Sequence, residues 1–107
     1  MNILEKHHDI VELYEMYYPL LTSKQQTSMS YYYLDNYSLS EIAEIQKTTR
    51  NAVHDLISRT TKKLYAYEQK LALREKHITR LNIIDELKKT VQDKAILALI
   101  DALEKVE

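Results

Sequence analysis

The sequence predicts an all-α protein, and two observations lead to that prediction. The 107 residues contain no glycine and a single proline, Pro19, although both residue types usually punctuate β-hairpins. Apolar residues recur at helical spacing along most of the chain. A chain of this length has room for one modest hydrophobic core, and its 45% apolar content is typical of a globular protein.

The first two predicted helices are separated by the proline. Apolar side chains between residues 3 and 18 form a broadly helical stripe, and Pro19 ends this helix because its ring clashes with a preceding helical turn. Thr22 or Ser23 then caps a second helix, whose body runs from residue 24 to about residue 34. Residues 1–34 are therefore predicted to form two helices.

Three consecutive tyrosines, Tyr31, Tyr32 and Tyr33, lie on the second predicted helix. Neighbouring residues on a helix point about 100° apart, so the three rings cannot share one face. We expect Tyr32 and Tyr33 to pack inward and Tyr31 to be more exposed. The alternative is that the rings stack on nucleobases, as in single-strand binders. Asp35 and Asn36 follow in a turn, since both tolerate the left-handed conformation.

The next segment has the pattern of a helix-turn-helix. Ser38 and Glu41 form a capping box, followed by a short helix to about residue 46, a tight turn at residues 47–48 and a further helix that begins at Thr49. The small side chain of Ala43 lets the two helices approach each other closely. Apolar side chains then hold the pair together, namely Ile42, Val53 and Leu56 or Ile57.

The outer face of the second helix of this motif is the predicted nucleic-acid contact. Its candidate residues are Thr49, Arg50, Asn51, His54, Asp55, Ser58, Arg59, Lys62 and Lys63. Arginine and asparagine read guanine and adenine edges, whereas lysines and hydroxyls suit phosphates. Asp55 would have to avoid the phosphates or accept a hydrogen bond from cytosine. The alternative is that these residues are only the solvated face of a long helix.

Apolar residues continue at helical spacing for nearly forty residues beyond the turn. They are Val53, Leu56, Ile57, Leu64, Leu71, Ile78, Leu81, Ile84 and Leu87. No helix breaker interrupts them, so the stretch is one long helix or two with a bend, and a final helix is expected from Asp93 to Val106. We assign residues 1–64 to a helix-turn-helix head and residues 65–107 to a helical extension of the same compact unit.

The extension is also the predicted dimerisation element. Leu64, Leu71, Ile78 and Leu81 trace a partial heptad, and an apolar stripe on a long helix has to be covered. We expect a homodimer in which these helices pack together, because two-fold symmetry suits an operator-reading helix-turn-helix. The alternative is an antiparallel helix hairpin within one chain.

Charge is distributed unevenly along the chain, although the net charge is only −1. Residues 1–46 have two lysines against seven acids, a net −5, whereas residues 47–80 have nine basic residues against three acids, a net +6. A basic segment in an otherwise acidic protein indicates an anionic partner such as DNA or RNA. The alternative is pairing of the basic segment with the acidic ends of the chain.

Several function classes are excluded or disfavoured. Without glycine there is no phosphate-binding loop, and without cysteine there is no disulfide, thiolate metal site or cysteine nucleophile. The four histidines show no paired ligand spacing, so we expect no metal, no cofactor and no enzymatic activity. No apolar run reaches about 18 residues, and the first nine residues do not resemble a signal peptide. We therefore expect a cytoplasmic protein without membrane insertion.

Several segments together resemble known families. The stretch from "LLTSKQ" to "SLSEIAE", followed by "TTRNAVHDLISRTTKKL", resembles region 4 of bacterial sigma factors, the region that reads promoters. The segments "MSYYYLD", "YSLSEIAE" and "R.AV.D.I.R" resemble more closely the YlxM-like family of small helix-turn-helix proteins. The resemblance covers roughly residues 10–80.

The resemblance implies a sigma-factor region 4-like helix-turn-helix head and a regulatory role in the signal recognition particle pathway. It also implies a helix that reads DNA, matched here by Thr49, Arg50, Asn51 and His54. Two hypotheses follow. The chain is a nucleic-acid-binding regulator, or it is a protein-interaction module that docks on the signal recognition particle protein without reading DNA.

Two residues in the turn depart from the family pattern. The family usually has an aromatic residue and then a valine where this chain has Gln46 and Thr48. Those positions normally bury apolar side chains that fix the angle between the two helices. The polar residues would loosen the turn unless Ile45 replaces part of the lost contact.

Overall fold

The computed structural model describes residues 3–106 of the chain, and every regular element in that range is helical. The all-α prediction is confirmed. Six α-helices follow one another: α1 (Ile3–Tyr17), α2 (Ser23–Met29), α3 (Leu39–Gln46), α4 (Arg50–Leu71), α5 (Leu73–Thr90) and α6 (Lys94–Glu104). A 3₁₀ turn, Tyr18–Leu20, separates α1 from α2, and a π-helical turn, Ser30–Leu34, continues α2.

The chain divides into two compact units, one ending at Ala72 and the other beginning at Leu73. The first unit contains α1 to α4 around one hydrophobic core. Its buried residues are Ile10, Leu13, Tyr14, Tyr17, Leu21, Met29, Ile42, Ala43, Val53, Ile57 and Leu64. Burial of this apolar surface is the main force holding the four helices together.

The first unit extends eight residues beyond the predicted boundary at Leu64, and a contact between α1 and α4 explains why. The buried Tyr17 donates a hydrogen bond from its hydroxyl to Glu68 Oε1 at 2.6 Å, and its ring packs against Tyr67 with centroids 5.8 Å apart. A bond to a carboxylate is stronger than one between neutral groups. The fifth and sixth turns of α4 are therefore part of the head.

The tyrosine segment packs against the core of the first unit. Tyr31, Tyr32 and Tyr33 are all half-buried, so the inward packing expected of Tyr32 and Tyr33 extends to Tyr31, which also contacts the core. The reason is local: Tyr31 stacks on Tyr37 with ring centroids 5.2 Å apart, and the Tyr37 amide donates to the Tyr31 carbonyl at 2.9 Å. Asn36 adopts the predicted left-handed conformation, with φ of 58°.

The long C-terminal stretch is two helices, as one of the two sequence interpretations stated. Ala72 adopts a left-handed conformation (φ 52°, ψ 34°) that ends α4, and its amide donates to the Glu68 carbonyl at 2.8 Å. Leu64 lies in the core of the first unit, whereas Leu71 and Ile78 are exposed. The predicted heptad is therefore not one continuous stripe, because its first member is already covered within the head.

The second unit contains α5 and α6, which pack against each other. Ile84 and Ile100 are its buried apolar residues, and Lys88 Nζ contacts Glu104 Oε2 at 2.6 Å and Asp101 Oδ1 at 3.2 Å. Asp93 caps α6 by accepting bonds from two backbone amides. The final helix thus packs on the preceding one within a single chain, and the homodimer stays a prediction. Across residues 3–106, no helix is long and apolar enough to cross a membrane.

Candidate nucleic-acid interface

Helix α3 begins with the capping box that the sequence predicted. Ser38 Oγ accepts a hydrogen bond from the Glu41 amide at 3.1 Å, and the Ser38 amide donates to Glu41 Oε1 at 3.0 Å. Hydrogen bonds to the carboxylate from the Ser38 amide, and then from the Ser38 side chain, favour its charged form and lower the pKa of Glu41 below its usual value. The first turn of α3 is fixed by its own side chains, and Ile42 and Ala43 on its inner face are buried in the core.

The turn between α3 and α4 is a Schellman motif built without glycine. Lys47 adopts the left-handed conformation (φ 55°, ψ 48°) in which glycine is most common. The Lys47 amide donates to the Glu44 carbonyl at 3.3 Å, and the Thr48 amide donates to the Ala43 carbonyl at 2.9 Å. These two bonds satisfy carbonyls at the end of α3 and fix the direction in which α4 starts.

The polar side chain of Gln46, at the end of α3, is held in place by hydrogen bonds. Its Nε2 donates to Ser28 Oγ at 3.0 Å, and the Ser28 hydroxyl lies 3.3 Å from Gln46 Oε1. Ser28 is fully buried (0% exposed), so the amide of Gln46 satisfies a hydroxyl inside the head and links α3 to α2. Ile45 is 49% exposed and does not fill the role suggested for it.

Replacing Gln46 by alanine is expected to lower the free energy of unfolding by about 1–3 kcal/mol, because the buried Ser28 hydroxyl loses its partner. The double variant Gln46→Leu/Ser28→Ala removes both polar groups and should lie close to the wild type. Urea unfolding followed by circular dichroism measures both values. Additive losses in a Gln46→Ala/Ser28→Ala double-mutant cycle would show that the two side chains are not coupled.

Thr49 is the N-cap of α4, and its Oγ1 accepts a hydrogen bond from the Ala52 amide at 3.1 Å. The cap occupies one of the two acceptor sites of the Thr49 hydroxyl, so its hydrogen and one lone pair are left for a partner. The capped end of α4 is the positive end of its helix dipole. The first side chains there, Arg50 and Asn51, are exposed.

The remaining predicted contact residues lie on the side of α4 away from the core. The inner face of this helix buries Val53, Ile57, Thr60 and Leu64. Asn51, His54, Asp55, Arg59, Lys62 and Lys63 are exposed, and Ser58 is half-buried. The structure thus presents the predicted side chains on an accessible helix surface.

These exposed side chains do not form one compact patch. At about 100° per residue, Arg59, Lys62 and Lys63 fall within roughly 100° of each other around α4. Arg50 lies roughly 180° from Arg59, on the other flank of the helix. Asp55 lies one turn before Arg59, roughly 40° from it around the helix, and its Oδ1 is 3.8 Å from His54 Nδ1. We call Arg59, Lys62 and Lys63 the basic cluster.

A shallow groove beside the basic cluster brings in a cation that sequence reasoning missed. Thr22, Lys24 and Gln25 from the start of α2 line this groove together with Asp55 and Arg59. Lys24 is exposed, and its position adds a positive charge beside α4. The sequence assigned Lys24 to the body of the second predicted helix and gave no sign that it lies near Arg59. That proximity depends on how α2 packs against α4.

A second groove, which we call the tyrosine-lined groove, lies on the flank of α4 opposite Arg59, with Lys62 at its edge. Its floor contains Ile10, Leu39 and Ile57, and its walls are formed by tyrosines and polar residues from α1, the π-helical turn and α4. His54, Ser58 and Lys62 lie on its α4 side, so it borders the predicted contact surface. Sequence reasoning did not indicate this groove, because its lining residues come from four separate segments.

Comparisons with known proteins agree with this architecture. Residues 4–103 match the UPF0122 family model, described as "Putative helix-turn-helix protein, YlxM / p13 like". The chain is 46% identical to a UPF0122 protein of Shouchella clausii, covering 98% of this chain and all of the relative. It is 44% identical to the UPF0122 protein YlxM of Bacillus subtilis, covering 97% of this chain and 98% of the relative. An Exiguobacterium relative is 47% identical over 97% of this chain and 98% of its own length.

Proposed function

This chain belongs to the UPF0122 family of YlxM/p13-like helix-turn-helix proteins, and on that premise we propose that it is a nucleic-acid-binding regulatory protein that binds through α4. The observation that carries the proposal is the exposed basic cluster on α4, with Lys24 beside it, in a chain whose net charge is only −1. Clustered cations on an exposed helix are the electrostatic footprint of a phosphate-binding surface.

Two sets of residues on α4 have different roles in the proposed binding. Arg59, Lys62 and Lys63 contact phosphates and set affinity, because their charges carry no information on base sequence. Asn51 and Arg50, at the exposed start of the helix, read adenine and guanine edges in the major groove. Asp55 disfavours phosphate at its own position and accepts a hydrogen bond from cytosine, which makes binding dependent on register.

The test is a salt series of binding to a labelled duplex DNA pool and a labelled RNA pool, measured by fluorescence anisotropy. Four cations on each copy, the basic cluster and Lys24, predict that log Kobs for duplex DNA falls with log salt with a slope of about −3.6 when one copy makes the contacts and about −7.2 when both copies of a dimer do. Failure to bind either pool at 50 mM salt would overturn the proposal. A shallower slope with RNA than with DNA would identify single-stranded RNA contacts.

We also propose that the protein acts as a homodimer. The supporting observation is a row of exposed apolar side chains on α6, Ile96, Leu99 and Leu103, at helical spacing, with Leu99 70% exposed. Sedimentation should give twice the chain mass of 12.7 kDa, and Leu99→Glu/Leu103→Glu should give the single-chain mass. A wild type that sediments as one chain at 100 µM would contradict the dimer.

The alternative function is docking on the signal recognition particle protein without reading DNA, which the family resemblance implies. The same apolar row on α6 favours it if the protein is a monomer. A pull-down with the purified particle protein separates the two functions. Capture that Leu99→Glu/Leu103→Glu abolishes and that reversal of the basic cluster leaves unchanged supports docking. Absence of capture, together with duplex binding that reversal of the basic cluster abolishes, supports nucleic-acid binding.

A further inference from the structure

The tyrosine-lined groove beside α4 has the size and lining of a small-ligand site. Its volume is about 410 Å³, within the range of ligand pockets, and it lies entirely within the first unit. Ile10 and Ile57 on its floor are buried core residues, so the floor is a fixed part of the head. The groove is therefore preformed by the packing of the helices.

Aromatic side chains form its walls. Tyr32, Tyr33 and Tyr65 all line the groove, and the rings of Tyr32 and Tyr33 meet edge to face, with centroids 4.9 Å apart and planes 89° apart. His7 packs behind Tyr33 at 5.3 Å, and burial raises the pKa of the Tyr33 hydroxyl. Rings held in this way offer a planar ligand one face to stack on, at little cost in side-chain freedom.

The charges around the groove are of one sign. Lys6 from α1 and Lys62 from α4 line it with His54, and none of the residues that line it is an aspartate or glutamate. Asp55, whose carboxylate lies 3.8 Å from His54, lines the other groove. Ser58 and Thr61 add hydroxyl donors. A groove with aromatic walls, cations and hydroxyls is complementary to a planar anion.

We propose that this groove binds one nucleotide, with its base stacked against the tyrosines and its phosphate between Lys6 and Lys62. The chemistry of an aromatic base next to a phosphate is shared by a free nucleotide and by a nucleotide within a single strand. Binding of a nucleotide within a single strand would deepen the proposed function and rests on it. Lys62, His54 and Ser58 belong both to the groove and to the contact surface of α4.

An aliphatic ligand would fit this groove poorly. It would strip water from three phenols, two hydroxyls and two ammonium groups without replacing their hydrogen bonds, which is costly. A nucleotide pairs with the same groups, since its phosphate and base edges accept hydrogen bonds from them.

The test titrates adenosine 5′-monophosphate, adenosine and a single-stranded DNA octamer into ¹⁵N-labelled full-length protein and follows amide chemical shifts. Adenosine monophosphate should shift amides around residues 6, 33 and 58, and Tyr65→Ala should weaken it at least about fivefold. Tyr65→Phe keeps the ring and should bind like the wild type. Lys6→Ala should weaken the monophosphate and leave adenosine unchanged, because it removes only a phosphate contact.

Lys94→Ala is the matched control, since this exposed lysine belongs to the second unit and lines neither groove. Octamer binding that depends on Lys6 and Tyr65, with no response to the monophosphate, assigns the site to single strands. If the monophosphate shifts the groove amides as strongly as the octamer does, and added duplex DNA does not compete with it, the site is assigned to free nucleotides. No shift in the groove with 10 mM monophosphate or with the octamer overturns the site. The salt-dependent duplex binding of the proposed function would then still stand, because Lys6 and Tyr65 lie outside it.

Discussion

The triple variant Arg59→Glu/Lys62→Glu/Lys63→Glu is expected to weaken duplex binding by at least about a hundredfold at 100 mM salt. Three phosphate contacts contribute a factor of roughly 500 at this salt concentration relative to 1 M, and each introduced carboxylate also repels the backbone. All three side chains are exposed, so the reversal should leave the fold intact. Fluorescence anisotropy measures the affinity, and circular dichroism verifies the helix content.

The control is a second triple variant with the same change in net charge. Lys76→Glu/Lys94→Glu/Lys105→Glu alters three exposed lysines of the second unit and should change affinity by only a few fold through the long-range field. If both variants lose binding equally, the overall charge of the protein governs association. In that case α4 is not the contact surface, and the assignment of the basic cluster fails.

Leu64→Ala is expected to lower the free energy of unfolding of the head by about 2–5 kcal/mol. Leu64 is fully buried (0% exposed) and lies in the cluster formed by α1, α3 and α4, so truncation removes apolar contacts and leaves a cavity. That loss is a large part of the stability of a domain this small. Urea unfolding followed by circular dichroism at 222 nm gives the value.

Leu4→Ala supplies the same chemical change at a site that is 80% exposed on α1. It should alter stability by less than about 0.5 kcal/mol, because the leucine side chain is already in water. Similar losses in the two variants would mean that Leu64 is not part of a packed core. A large loss at Leu64 alone supports its place in the core of the head.

Local signals along the chain predicted most of the helix boundaries. Thr22 and Ser38 both cap helices with full capping boxes, Pro19 lies in the turn after α1, and α3 spans the residues expected of it. Asp93 caps α6 as the start of the predicted last helix. Such caps depend on side chains three residues or fewer away, so a linear reading of the sequence is sufficient to locate them.

Other features were not accessible from the sequence. No glycine or proline marks the left-handed turn at Ala72, so the sequence did not decide between one long helix and two helices. The bond between Gln46 and Ser28 joins residues 18 positions apart, and without the structure Gln46 is simply a polar residue at an apolar position. Lys24 joins the surface of α4 only through the packing of α2.

By itself the sequence determined the fold class, the capped helices and the candidate face of α4, because each depends on composition, on helical period or on groups close along the chain. The tertiary structure decided how that face is divided. Packing of Val53, Ile57 and Leu64 into the core sets the rotation of α4. This rotation places Arg59 and Lys63 on one flank, the tyrosine-lined groove on the other, and Lys62 at the edge of the groove. Contacts between distant segments fix such a rotation, and no local pattern encodes them.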